Sequence, residues 1–335
     1  MQLGRCLDPL HRNWVQEPEP LARPYMMRTD LDHLPAIKQR ELERVVQIVF
    51  EEFDDAFALA KHEWKKAGRI LKIILYGSYA RGGWIDEPHT AKGYKSDYDL
   101  LIVVNDKRLT DRVKYWAKLD DRLMREYDIA GSLRTPVNFI VHTLGEVNDG
   151  LAHGRYFFMD VAKEGIALYQ SDDTPFHQPK PKTPAQALAM AKEYFEEWLP
   201  GGQQFLETAR FAADKGWNKK SAFLFHQAAE SLYHCVLLVC TFYTPHVHNL
   251  GFLRTQAERI DRRLTWIWPS DTRNDRSRFE KLKEAYVKAR YSKHYRITKD
   301  ELEWLAVQVE ELGRVVHAVC SERIEALAKD AGTAG

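Results

Sequence analysis

A polar run at residues 171–184, SDDTPFHQPKPKTP, divides this chain into two kinds of sequence. Its four prolines lack a backbone N–H and restrict φ, so neither a helix interior nor a central strand can run through it. Before it, apolar strand-like runs alternate with helical periodicity. After it, strand signals almost vanish. The 335 residues therefore read as two domains, a small mixed sheet with helices followed by an antiparallel helical bundle. The expected fold class is α+β. It comprises an irregular, proline-rich arm at 1–33, a sheet domain at 34–170, a linker at 171–184 and an all-α bundle at 185–328.

Within the first half, helical spacing over 36–68 puts Leu42, Val45, Val46, Ile48, Val49, Phe53, Phe57 and Leu59 on one broad face, ended by Gly68. Strands are expected at 70–76, 98–104, 135–142 and 166–169, with helices at 109–127 and near 155–163. The second half predicts helices at 185–199, 202–215, 219–241, around 250–259, 275–291 and 299–328. Thr298, with Glu301 three residues on, has the pattern of a capping box.

Chemistry is concentrated at 73–104, IILYGSYARGGWIDEPHTAKGYKSDYDLLIVV. A buried strand meets a Gly77-Ser78 turn and a basic loop, and a second strand opens with Asp97-Tyr98-Asp99. Side chains alternate along a strand, so Asp97 and Asp99 project to one side. Two carboxylates on one face suit a divalent cation that carries a nucleoside triphosphate. Gly77 permits a tight turn and close approach of a phosphate, and the Ser78 hydroxyl and the amides after it can donate to phosphate oxygens.

The segments LYGSYARG and SDYDLLIVV resemble the minimal nucleotidyltransferases of the polymerase-β-like superfamily, over residues 35–170. The resemblance implies that Gly77 and Ser78 contact the triphosphate of ATP or another NTP. It implies that Asp97 and Asp99 bind Mg²⁺ and that Arg81 touches phosphate. The sequence departs from the family pattern twice. Eighteen residues separate Ser78 from Asp97, a longer interval than in compact members, and the extra segment is WIDEPHTAKGYK. A third carboxylate is expected on the later strand TPVNFIVH, where Asn138 stands instead. Asn cannot act as a general base, which leaves Glu164 as the other candidate acid or leaves the site slow or limited to binding.

In the second half, FHQAAESLYH, TFYTPHVHNL and KARYSKHYRIT resemble the HEPN domain, over residues 184–328. Many such domains are metal-independent ribonucleases that use an Arg and a His near each other in sequence. That resemblance points to Arg290 and His294, with three residues between them, a tighter spacing than the family's, and with Tyr295 as the other occupant of the His position. Glu230 is expected to pair with Arg290 inside the bundle, and His246 and His248 to lie in a polar loop rather than a metal site. The stretch 254–278 interleaves Arg259, Arg262, Arg263, Arg273, Arg276 and Arg278 with Trp266 and Trp268, a pattern able to hold single-stranded RNA. Its acidic residues favour a solvated face.

Formal charge is +1, so the chain as a whole does not attract nucleic acid at long range. Cys6, Cys235, Cys240 and Cys320 form no CxxC pair, and Cys235 and Cys240 read as buried free thiols, which fits a reducing cytosol. No signal-peptide pattern opens the sequence, and CVLLVC is too short to span a bilayer, so a cytoplasmic protein without membrane contact is expected.

Together these readings give a Mg²⁺-dependent nucleotidyltransferase that moves an NMP, AMP from ATP in the first instance, to a hydroxyl. The acceptor would be a protein side chain, an RNA 3′ end or a small molecule. The fused arrangement also resembles toxin–antitoxin pairs in which the HEPN partner is adenylylated, which makes Tyr291 and Tyr295 candidate acceptors. The alternatives are an HEPN ribonuclease with a regulatory nucleotide-binding domain, and a nucleotide sensor without turnover. A homodimer is expected through exposed helical faces.

Overall fold

The computed structural model describes residues 27–58, 62–84, 96–171, 176–245 and 247–333. They divide into two compact units, one within Pro18–Pro181 and one within Lys182–Gly335. The chain is α+β: a small mixed sheet in the first unit and helices in the second.

The sheet has four strands in the order β3-β2-β1-β4, with β1 at Ile70–Tyr76, β2 at Tyr98–Val104, β3 at Val137–Thr143 and β4 at Ile166–Gln170. β1 runs antiparallel to β2 and β4, and β2 runs parallel to β3. Every residue of β1 and β2 is buried, as their continuous apolar runs require of central strands covered on both faces. On one face Ile73, Leu75, Tyr98, Leu100 and Ile102 pack with Leu42, Val45 and Val49 of α1 (Ala36–Phe57). Each such aliphatic side chain contributes about 1.5–3 kcal/mol when fully buried. The other face meets α7 (Tyr156–Glu164), where Phe157 stands edge-on to Tyr76 at 5.4 Å. Arg28 bridges to Ile166, so the expected N-terminal arm touches the sheet edge near its end.

Three expectations about helices in this unit change. The helix expected over 36–68 ends at Phe57, and a separate turn, α2, forms at Glu63–Lys66; Leu59 lies outside the described residues. The helix expected over 109–127 is broken into a 3₁₀ turn at Lys107–Thr110, α4 at Arg112–Tyr115 and α5 at Ala117–Asp128. Asp111 causes the first break, because its carboxylate accepts from the Lys114 amide and starts α4, while Asp106 caps the 3₁₀ turn by accepting from the Arg108 amide. An unforeseen helix, α6 at Leu144–Ala152, opens on a capping box between Thr143 and Glu146. The four-residue α3, Ser78–Arg81, follows β1.

The second unit centres on α9, Asn218–Thr241, packed by α8 (Pro184–Asp214), α10 (Leu250–Glu258), α11 (Arg273–Tyr291) and α12 (Lys299–Thr333). α9 is long and apolar enough to cross a membrane by composition, yet 78% of its most apolar window is buried in the bundle, as a core helix would be. The helices expected at 185–199 and 202–215 are one helix that continues through Pro200. Gly202 explains why the break does not form. A Cβ there would lie 2.9 Å from Leu232 of α9, so close helix packing holds the backbone helical across the proline. Thr298 and Glu301 form the expected capping box at the start of α12. Cys235, Cys240 and Cys320 are free thiols.

Candidate functional site

The strand register brings the turn and the aspartates together. Tyr76, the last residue of β1, pairs with Asp99 on β2, so Gly77 begins beside that aspartate. Gly77 has φ 78° and ψ −148°, a conformation that a side chain would strain. Ser78 follows, and its buried Oγ has no hydrogen-bond partner among the described residues. A buried hydroxyl without a partner is costly unless a ligand completes it.

Tyr98 sets the direction of its neighbours. Its ring is fully buried toward α1, and its hydroxyl donates to Glu41 at 3.1 Å. Strand alternation then sends Asp97 and Asp99 to the opposite face. Burial, reinforced by the Glu41 charge, raises the Tyr98 pKa far above the usual phenol value, so this anchor stays neutral. Lys38, Glu41 and Thr135 complete the buried polar group, with Lys38 Nζ donating to Thr135 Oγ1 at 2.6 Å and lying 3.3 Å from Glu41.

Asn138 pairs with Asp99 in the parallel β2–β3 register, and its Nδ2 donates to Asp97 Oδ2 at 2.8 Å. The amide thus sits at the aspartates, where a third acid was sought. Glu164 instead engages Arg81, with Nη1 to Oε2 at 3.3 Å. Among the described residues no group of three or more His, Cys, Asp or Glu is poised to hold a metal. Two carboxylates, one amide and an unsatisfied hydroxyl nevertheless fit a hard cation carrying a phosphorylated ligand, because oxygen donors suit Mg²⁺ and such a cation keeps several waters. The segment 85–95, most of the long loop, lies outside the described residues.

In the helical unit Arg290 and His294 make separate contacts. Arg290 is in the last turn of α11, exposed, with Nε donating to Tyr286 O at 2.6 Å and its guanidinium 4.3 Å from the Tyr286 ring centre. His294 lies beyond the helix end, exposed, and its backbone N–H donates to Ser292 Oγ at 3.2 Å. Tyr291 is 76% exposed, whereas Tyr295 is buried and donates its hydroxyl to Lys281 O at 2.9 Å.

A family model for polymerase beta nucleotidyltransferases matches residues 60–147, which include the turn, both aspartates and Asn138. A second model, for the HEPN domain, matches residues 195–319. The chain joins a nucleotidyltransferase domain to an HEPN domain. No curated protein matches it.

The HEPN domain holds a polar cluster different from the one expected. Glu230, buried on α9, does not pair with Arg290. Its Oε1 meets His248 Nδ1 at 3.0 Å, and its Oε2 lies 3.6 Å from Nδ1 of the fully buried His226. The ring of His248 stacks on Tyr286 at 4.1 Å, and Arg290 lies over the same tyrosine. His248 competes for Glu230 because the loop before α10 delivers it there, whereas Arg290 is drawn onto aromatic rings. Glu230 would favour a charged His226, but burial outweighs it. The His226 pKa falls to about 3, by burial first and then by the nearby His248 and Arg290, and burial raises that of Glu230. The polar residues within the apolar face of α9 were the sequence signal for this cluster; its His248 partner was not legible. His246 lies outside the described residues.

Part of the arginine-rich stretch is neutralised by carboxylates. Arg254 meets Glu258 at 2.5 Å, Arg263 is held by Asp261 and Glu322, and Arg278 lies 3.6 Å from Asp275. Trp268 is buried, with its indole N–H donating to Tyr233.

Proposed function

We propose that the nucleotidyltransferase domain transfers a nucleoside monophosphate, AMP from ATP in the first instance, to a hydroxyl on a protein, an RNA 3′ end or a small molecule. The observation that carries this reading is the β1–β2 register, with Tyr76 opposite Asp99 and the Gly77-Ser78 turn starting beside the carboxylate. In the reaction the acceptor oxygen bonds to the α-phosphorus, the bond to pyrophosphate breaks, and the hydroxyl proton leaves to solvent. Gly77 lets the phosphates approach the backbone, and Ser78 Oγ supplies a donor that has no partner among the described residues. Asp97 and Asp99 would hold Mg²⁺, which when bound neutralises the triphosphate and orients the acceptor. Arg81 remains available to phosphate, since a partly exposed pair such as Arg81–Glu164 is worth only about 0–1 kcal/mol.

A second reading, nucleotide binding without turnover, is favoured by Asn138, which cannot take the acceptor proton. The HEPN bundle then serves to bind substrate or to regulate the first domain, as in toxin–antitoxin pairs, and it pairs with a second copy. Of the two candidate tyrosine acceptors, exposed Tyr291 fits and buried Tyr295 does not. Incubation with α-labelled ATP and Mg²⁺, followed by mass spectrometry of the protein and of added RNA, tests the acceptor. An AMP adduct lost in Asp97→Ala supports transfer. Bound ATP with no adduct on any acceptor supports the second reading.

A further inference from the structure

A cavity of about 300 Å³ opens between the N-terminal half of α1 and the loop that joins α5 to β3. On α1, Ile37, Arg40, Glu41 and Arg44 recur at spacings of three and four residues, so they share one face. The loop contributes Arg134 to the opposite wall. Three guanidinium groups therefore surround one small space. Like charges so placed repel one another unless a counter-charge sits among them.

The acids nearby do not supply that counter-charge. Among the described residues Glu41 is the one acid in the wall, and it is already engaged. It is buried, accepts from the Tyr98 hydroxyl at 3.1 Å and from the Arg134 backbone N–H, and lies 3.3 Å from Lys38 Nζ. Lys38 thus balances its charge. Arg44 donates to Glu126 Oε1 at 3.0 Å and lies 3.7 Å from Glu51, which orients its fork and leaves further N–H donors on it. The side chains of Arg40 and Arg134 are exposed and have no carboxylate partner among the described residues.

The loop is held in this shape by its own contacts. Gly131 turns at φ 64°, Ser132 Oγ and the Leu133 amide each donate to Glu126 O at 3.2 Å, and the Leu133 side chain is buried. Arg134 is therefore presented by a fastened segment, which lowers the ordering cost of binding. Arginine forks match the oxygens of a phosphoryl group, and two unpaired guanidiniums match its two negative charges. Ile37 is the sole apolar side chain in the wall among the described residues, so the cavity gives little grip to a nucleobase or an acyl chain.

We infer that this cavity binds a compact phosphoryl anion, inorganic phosphate or pyrophosphate, on Arg40, Arg44 and Arg134. The site is separate from the Gly77-Ser78 turn. Tyr98 sends its hydroxyl to Glu41 in the cavity wall, whereas Asp97 and Asp99 project to the opposite face of the sheet. The inference does not depend on nucleotidyl transfer.

Titration calorimetry of the full chain with pyrophosphate, and separately with orthophosphate, in low-salt buffer containing EDTA tests it. The chelator suppresses metal-dependent binding at the aspartates. Saturable binding of one anion per chain is expected, and the tighter of the two identifies the ligand. Arg40→Gln with Arg134→Gln lowers affinity at least about tenfold, because each loses charge-assisted hydrogen bonds. Both side chains are exposed, so this variant keeps the melting temperature of wild type. Arg40→Lys with Arg134→Lys keeps the charge without the fork and loses less. Arg81→Gln, at the transfer site, stays within about twofold of wild type. No saturable binding of either anion overturns the inference, as does an unchanged affinity in the Arg40→Gln/Arg134→Gln variant. A tenfold loss in Arg81→Gln would place the anion at the transfer site and overturn it too. Citrate bound as tightly as pyrophosphate would refute the choice of a phosphoryl group.

Discussion

The buried His226 makes the HEPN domain acid-sensitive by an amount that can be worked from its environment. Its pKa in the fold is about 3, against 6.5 for an unperturbed imidazole. A depressed pKa contributes stability that is fully present above the unfolded value and is lost as pH falls toward the folded one. Between pH 7 and pH 4.5 the unfolded chain takes up a proton at this residue and the folded chain does not, which costs about 2.5 kcal/mol. Glu230 acts with the opposite sign. Its pKa is raised, so acidification below that raised value favours the fold and offsets part of the loss. Urea unfolding followed by circular dichroism at several pH values, comparing wild type with His226→Gln, reads the difference. With a denaturant slope of about 1–3 kcal/mol/M, wild type loses on the order of 1 M more in midpoint across this interval than the variant. Glu230→Gln removes the offset and steepens the acid dependence. Identical pH dependence in wild type and His226→Gln would refute the account of this cluster.

Ser78→Ala raises stability by about 1 kcal/mol, because it removes a buried hydroxyl that has no hydrogen-bond partner among the described residues, yet weakens ATP binding by about 1–2 kcal/mol in titration calorimetry. Gly77→Ala, at φ 78°, costs about 1–3 kcal/mol in thermal unfolding and abolishes ATP binding. Asn138→Asp replaces the amide that donates to Asp97 with a like charge. It lowers stability without Mg²⁺ and raises Mg²⁺ affinity by about tenfold, read from metal-dependent melting shifts.

The parts of this fold that could be read from sequence were those governed by local pattern. β1 and β2 are continuous apolar runs, and their expected ends at 70–76 and 98–104 agree with the strands observed. α6 was also locally encoded, since Thr143 and Glu146 carry a capping-box pattern. Tertiary contacts decided the rest. Pro200 reads as a stop, but Gly202 against Leu232 keeps α8 intact. At the candidate site, Gly77, Ser78, Asp97 and Asp99 stood out by type and spacing, and Asn138 by its place on β3. The hydrogen bond from Asn138 to Asp97 and the diversion of Glu164 to Arg81 depend on side-chain directions that no spacing encodes. Likewise Glu230 meets His248 rather than Arg290, because a loop conformation chooses between them.

Pyrophosphate release from each NTP with Mg²⁺, compared between wild type and the Asp97→Ala/Asp99→Ala variant, tests the central claim most directly. The account predicts release by wild type, slow because Asn138 stands where an acid would help, and its loss in the variant. Equal release from both proteins, or none from wild type with every NTP and acceptor while ATP still binds, would contradict it.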